Sequence, residues 1–216
     1  MKKRNKIILG IVFSVIIIGI ITSTSFFFIL RAQTTFLIEA YDPARADNGT
    51  TLFADMHDTA NPRIVEVDMN GNALWQYVLP DDLKGFTNPG MDVESLPNGN
   101  VLFICPLKGV YEVNRAGTIV WSYLNSKVSH DVDRLANGNT LICWGGSDTK
   151  TDHQAIEVNP SGTIVWSWQA APHYDVPPYD TISTQGWTHA NAVHRLANGN
   201  TLINLRNFNL TVEVNP

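Results

Sequence analysis

The chain has 216 residues, with 15 Lys and Arg against 20 Asp and Glu, a formal net charge of −5 and two cysteines. Five of the basic residues (Lys2, Lys3, Arg4, Lys6 and Arg31) precede the first acidic residue, Glu39, which leaves 10 basic against 20 acidic groups in the remainder. That surplus argues against nucleic acid or anionic lipid as a partner of the main body.

Met1-Lys2-Lys3-Arg4-Asn5-Lys6 stands directly before an uncharged stretch of 24 residues at 7–30. As a helix rising about 1.5 Å per residue it reaches roughly 36 Å, enough to cross a hydrocarbon core of about 30 Å with some tilt. The reading is a cytoplasmic tail at 1–6, a transmembrane signal anchor at 7–30 and an extracytoplasmic body, because basic flanks stay inside. The protein is thus expected in the cell membrane with a single pass. The alternative is a cleavable signal peptide, whose apolar region usually runs about 7 to 15 residues before a small-x-small site. Thr22-Ser23-Thr24-Ser25 keeps that alternative open. Residues 31–40 read as a linker or as a strand that closes a ring.

From residue 41 onward the chain repeats itself. Asn-Gly recurs at Asn48-Gly49, Asn98-Gly99, Asn137-Gly138 and Asn198-Gly199, each followed by an apolar run such as Val101-Leu102-Phe103 or Thr140-Leu141-Ile142. A Glu-Val pair follows at Glu66, Glu112, Glu157 and Glu213. Three repeats continue to Gly71, Gly117 or Gly162, with a tryptophan four residues on at Trp75, Trp121 and Trp166. Asn-Gly between alternating apolar segments signals a tight hairpin, here expected to be a type I′ turn with positive φ at both residues.

Each repeat therefore reads as four antiparallel strands, and in the third they are expected near 130–135, 139–144, 153–159 and 163–169. Four-stranded units recurring every 40 to 60 residues or so define an all-β fold, a β-propeller built from blades. The recurrent tryptophans are expected on outer strands, packed between neighbouring blades. Cys105 lies seven residues after Asn98 and Cys143 six after Asn137, which points them to opposite faces of equivalent strands. They are expected as buried thiols. The sequence stops at Asn215-Pro216, inside the second hairpin of the fourth repeat, so under four complete blades are expected over 41–216. Either 34–40 supplies the missing outer strand or these residues are part of a larger propeller, the second reading being favoured.

Tight hairpins leave no room for a site, so chemistry is expected on the opposite face. There the strand assignment places His57, His130, His153, His189 and Arg206-Asn207, with the long insertion 171–188 crossing nearby. Histidine supplies an imidazole nucleophile or a general acid, and arginine a planar fork for an oxyanion. No Cys-x-x-Cys or His-x-x-x-His spacing suggests zinc, and no glycine-rich phosphate loop is present.

At these residues the sequence resembles the bacterial and archaeal arylsulfate sulfotransferase family of exported propellers. The matching segments are Trp187-Thr188-His189-Ala190-Asn191-Ala192-Val193, the stretch from Leu196 through Asn198-Gly199 to Ile203, Leu205-Arg206-Asn207, His130-Asp131 and Asn48-Gly49-Thr50-Thr51-Leu52-Phe53. The resemblance implies transfer of a sulfuryl group from a small aromatic sulfate ester to a phenolic acceptor, through a sulfated histidine, with neither nucleotide donor nor cofactor. His130, His189 and Arg206 are then the expected catalytic group, and His57, Asn191 and Asn207 the expected substrate contacts. The family's nucleophilic histidine belongs to a later blade, so the residues here match supporting positions. Two other readings stand beside it. Gly-Thr-Ile-Val-Trp in two repeats resembles the blade-docking motif of quinoprotein propellers, and a non-catalytic surface propeller that binds a partner needs no chemistry at all.

Overall fold

The computed structural model describes residues 35–37, 42, 44–45, 49–87 and 90–216. The span expected at 7–30 lies outside the described residues, among which no helix is long and apolar enough to cross a membrane.

The body contains four antiparallel sheets laid out in chain order. Sheet 1 holds β1 (Thr51–Asp55), β2 (Arg63–Val67) and β3 (Ala73–Val78). Sheet 2 holds β4 (Val93–Ser95), β5 (Val101–Cys105), β6 (Gly109–Val113) and β7 (Ile119–Leu124). Sheet 3 holds β8 (Val128–Arg134), β9 (Thr140–Trp144), β10 (Ala155–Val158) and β11 (Ile164–Trp168), close to the four strands expected for the third repeat. Sheet 4 holds β12 (Ala190–Arg195), β13 (Thr201–Leu205) and β14 (Leu210–Val214). The architecture is propeller-like, each sheet being one blade.

Middle strands bury both faces, which is why β5, β6, β9 and β10 are apolar without strict alternation. Three interblade cores result. Ile64, Phe103 and Cys105 pack between sheets 1 and 2, Leu102, Ile104 and Ile142 between sheets 2 and 3, and Leu141, Cys143 and Ile203 between sheets 3 and 4. The two cysteines accordingly face different cores and are free and buried. Burial pushes the Cys105 thiol up to about 12 and raises Cys143 as well, so both stay protonated.

The hairpins depart from the expected turn type. Gly99, Gly138 and Gly199 have positive φ near +84 to +90, whereas Asn98, Asn137 and Asn198 do not. Gly99 N–H donates to the Leu96 carbonyl and Leu96 N–H to the Asn100 carbonyl, a three-residue loop in which only glycine is left-handed. The reason lies in the side chains. Asn98 Oδ1 accepts the Asn100 N–H at 3.0 Å, and both Asn98 and Asn100 donate to Glu112 Oε1. The recurrent glutamate is thus a strut for the hairpin, repeated at Asn137, Asn139 and Glu157 and at Asn198, Asn200 and Glu213.

The tryptophans sit between blades, as their repetition implies. Trp75 Nε1 donates to the Arg115 carbonyl and Trp121 Nε1 to the Pro160 carbonyl, each on the following sheet. Arg134 of sheet 3 lies over the Trp121 ring and pairs with Glu112 at 2.9 Å, and Arg195 of sheet 4 repeats this with Trp166 and Glu157 at 2.7 Å. Between sheets 1 and 2 the corresponding position is Ser95, and Arg115 of the outer hairpin takes over, stacking on Trp75 and pairing with Glu66. Asn side chains share the glutamate oxygens and the indole faces cover the guanidinium planes, which offsets part of the cost of stripping water from such a pair, while Arg134 Nε and Arg195 Nε stay buried without an acceptor.

First strands approach both neighbours: β8 lies against β5 and β12. Carboxylates bridge them, with Asp92 accepting from Val132 N–H, Glu94 from Arg134 N–H and Asp131 from Val193 N–H. These bonds satisfy backbone donors that an edge strand otherwise leaves unpaired. The segment read as a linker or closing strand at 31–40 places its described part on sheet 1. Thr35 bridges Asn72, and Phe36 packs edge-on against Phe53 at 5.4 Å.

Candidate functional site

The antiparallel order puts the starts of β8 and β12 and the ends of β9 and β13 at one edge of the blades, opposite the Asn-Gly hairpins. His130 lies near the start of β8, His189 directly precedes β12, and Arg206 opens the helical turn Arg206–Phe208 after β13. The structure brings these three together. The two imidazole rings stack 5.6 Å apart at 21°, and Arg206 Nη1 lies 2.9 Å from His189 Nε2.

The contacts fix the His189 tautomer. Its Nδ1 is 2.8 Å from the Gln185 carbonyl oxygen, which can only accept, so Nδ1 carries a proton. Arg206 can only donate, so Nε2 presents its lone pair to the guanidinium. His189 therefore has no proton at Nε2 to give a leaving group, which revises the general-acid role expected of it. It acts instead as an acceptor that orients Arg206. The other guanidinium N–H groups have no acceptor among the described residues, and Arg206 is exposed. They are available to an anion. His130 is held below its usual pKa by burial, then by His189 and Arg206, so its imidazole is neutral near pH 7.

A buried carboxylate sets this geometry. His189 has φ of +46, a left-handed conformation uncommon outside glycine. Asp148 of the β9–β10 loop is 3% exposed and receives the His189 N–H on Oδ1 at 3.0 Å. Its Oδ2 receives the Thr188 N–H, the Thr188 hydroxyl and the Gln154 amide. The preceding Gly186, at φ +111, has no room for a side chain, since a Cβ would lie 2.5 Å from Asp148 Oδ1. Gly145 allows sheet 3 to reach this edge, because a Cβ there would lie 2.0 Å from the Ala190 carbonyl oxygen. The Gly145-Gly146 doublet was the one sequence sign of this approach, and nothing local marked Asp148, Gln154 or Gln185.

The expected substrate contacts fall elsewhere. His57 is exposed in the β1–β2 loop, its backbone N–H bonded to Asp55. Asn191 lines an open groove with Asp131, Asp133 and Asn204. Asn207 spends its amide on the carbonyls of Thr184, Gly186 and Trp187, and so pins the loop before His189 rather than presenting a donor to a ligand. His153 packs edge-on against Trp144, His173 stacks on Trp168 and His194 faces Asp133. Among the described residues no group of three or more His, Cys, Asp or Glu side chains is arranged to hold a metal.

Blades joined in this manner, with a histidine–arginine group at one edge, define a propeller-like protein that presents unengaged guanidinium donors there. The sequence profile of the family described as Arylsulfotransferase (ASST) matches residues 30–216, and the chain belongs to that family. No curated protein sequence matches it significantly. Among solved structures it is similar to a streptogramin B lyase, at 12% identity and TM-score 0.51 over 79% of this chain and 49% of that one. It is also similar to virginiamycin B lyase from Staphylococcus aureus, at 11% identity and TM-score 0.50 over 79% and 53%. The chain spans about half the length of these structures, and the likeness concerns the fold alone.

Proposed function

We propose that this chain carries the sulfuryl-binding portion of a nucleotide-independent aryl sulfotransferase, which moves a sulfuryl group from a phenolic sulfate ester to a phenol. Membership of the arylsulfotransferase family supports the reaction class. The observation that carries the reading at the level of residues is Arg206, aimed by His189 at 2.9 Å with its remaining donors unengaged, beside a neutral His130.

In such a transfer the bond from sulfur to the donor phenoxide breaks while sulfur bonds to a nucleophile, and the same step in reverse order delivers the group to the acceptor. Negative charge on the sulfuryl oxygens is held throughout, a task for a preorganised guanidinium. The acceptor phenol has a pKa near 10 and must lose its proton as its oxygen attacks. His130, neutral and half-buried, is suited to take it. The sulfated histidine itself is expected from a later blade, with the present three residues as its supporting groups.

The test is phenol release from a chromogenic aryl sulfate by the full-length protein, with and without a phenolic acceptor. Acceptor-dependent release that is lost in His189→Ala and Arg206→Ala supports the reading. No release and no acid-labile sulfated histidine would overturn it in favour of a binding propeller. The anchor at 7–30 would hold this site on the outer side of the membrane, a topology motivated by the basic flank at 1–6. External protease on intact cells should then digest the blades, and protection until the membrane is opened would refute that orientation.

A further inference from the structure

Residues 171–188 cross the face that carries the histidine–arginine group, with a single helical turn of their own at Ala171–Tyr174. A connection of that length is uncommon in a compact fold unless it has a task. Both of its ends are held by one loop, between β9 and β10. At the entrance Ala170 donates its N–H to Gln154 Oε1 at 2.6 Å. At the exit the Trp187 N–H meets the Asp148 carbonyl at 2.8 Å, and Thr188 donates its N–H and hydroxyl to the Asp148 carboxylate. Gln154 Nε2 donates to Asp148 Oδ2 at 3.1 Å and so joins the two attachments.

Gln154 is 0% exposed, unusual for a glutamine, and both ends of its amide are engaged. Its backbone is fixed as well, with the N–H on the Trp168 carbonyl and the carbonyl accepting the Trp144 N–H, so the amide projects from a settled point of sheet 3. What the segment carries is the anion-holding pair. The Gln185 carbonyl receives His189 Nδ1–H, and the carbonyls of Thr184 and Gly186 receive the Asn207 amide. Phe208 follows Arg206 in the same turn and lodges its ring 4.7 Å from Tyr179 and 5.2 Å from Trp187. His189 and Arg206 therefore ride on one scaffold, whose buried polar ties to sheet 3 run through Gln154 and Asp148.

We infer that Gln154 is a positioning residue for the anion site: it pins segment 171–188 to sheet 3 and, through Asp148 and that segment, sets the placement of His189 and Arg206 together. Buried, fully satisfied amide networks of this kind select one arrangement over its neighbours, because any shift leaves a polar group without a partner. The inference rests on the reading above that Arg206 holds the sulfuryl oxygens.

The test has two arms, both on the full chain. Gln154→Met keeps the length of the side chain, removes both amide contacts and alters no group that faces the anion. It should turn the imidazole ¹⁵N spectrum of His189 from a single Nδ1–H tautomer into a mixture. It should also weaken inorganic sulfate about tenfold, the loss of one well-aimed charge-assisted bond. In the unaltered protein the coupling must run backwards too. Saturating sulfate should therefore slow exchange of the Ala170 amide, which lies outside the anion site, about tenfold. This second arm decides even where Gln154→Met does not fold. A His189 spectrum unchanged by the substitution overturns the role of Gln154, as does an Ala170 amide indifferent to sulfate that protects Thr188 and His189. A His189 spectrum that responds to Gln154→Met, while sulfate binding is absent or indifferent to Arg206→Ala, upholds that role and overturns the sulfuryl reading instead.

Discussion

Asp148 Oδ1 accepts the backbone N–H of His189 at 3.0 Å, so a carboxylate on one blade dictates the backbone conformation of a histidine on the next. Its other oxygen serves three further donors, which leaves no position an amide nitrogen could occupy without facing an N–H or O–H. Asp148→Asn is therefore expected to cost about 2 to 3 kcal/mol in urea unfolding. It should also release His189 from its left-handed conformation. The checkable sign is the imidazole ¹⁵N spectrum, in which the single Nδ1–H tautomer of the wild type should give way to a mixture. An unchanged spectrum would remove Asp148 from the positioning of His189.

Arg206→Lys separates charge from shape. Lysine keeps the positive charge but cannot accept the aim of His189 and still present a planar fork. Turnover of an aryl sulfate by the full-length protein is expected to fall by about 10² or more. Stability should change by less than about 0.5 kcal/mol, because the side chain is exposed. Equal turnover in the lysine variant would mean that the geometry of the His189–Arg206 pair is irrelevant to the chemistry.

The interblade arginines allow a test by transplantation. Arg115→Ser should loosen the joint between sheets 1 and 2 by about 1 to 2 kcal/mol, through the lost contact over Trp75 and the lost pair with Glu66. Adding Ser95→Arg, which restores the arrangement that Arg134 and Arg195 use at the other joints, should recover much of the loss. Thermal unfolding of the single and double variants measures this. No recovery would indicate that the outer-hairpin arginine is not interchangeable with the inner-strand one.

Asp92 gives stability a defined pH dependence. Burial first and the neighbouring Asp131 second push its carboxyl up to about 6, with Glu94 and Asp133 adding further negative charge around the same strands. A carboxyl whose folded pKa lies above its unfolded value favours the folded state when protonated. Its contribution is thus complete below about pH 4 and is lost as pH rises to about 6. Asp92→Asn removes the charge and keeps an oxygen for the Val132 N–H. The variant should match the wild type near pH 4, gain on it up to about pH 6 and hold a constant advantage above. A gap that closes with rising pH would reverse the assignment.

The blades were legible because their signals are local. Asn98-Gly99 and its counterparts set hairpins within a few residues, and the repetition of Trp75, Trp121 and Trp166 marks a position rather than a ligand. The meeting of His130, His189 and Arg206 followed from strand order alone. What stayed hidden depends on partners far apart in sequence. Thr188 and Asp148 are 40 residues apart, and no pattern around either foretells their bond. The turn type was misread because the side chains of Asn98 and Asn100 reach Glu112, a contact that a dipeptide rule does not contain. Asn207 was expected as a substrate contact through the family resemblance alone, whereas its amide faces the loop carbonyls.

The repeated joint of tryptophan, arginine and glutamate has a consequence for how motion travels through the molecule. Each joint clasps one blade to the next and to no other, as in a row of links where a disturbance is felt by the adjacent link and fades beyond it. Amide exchange should follow that order. The strands β5, β6, β9 and β10, clasped from both sides, should open late. His130 belongs to sheet 3, whereas His189 and Arg206 flank sheet 4. His130, His189 and Arg206 thus straddle the joint between sheets 3 and 4, and a ligand that bridges His130 to Arg206 would slow exchange in both sheets from a distance.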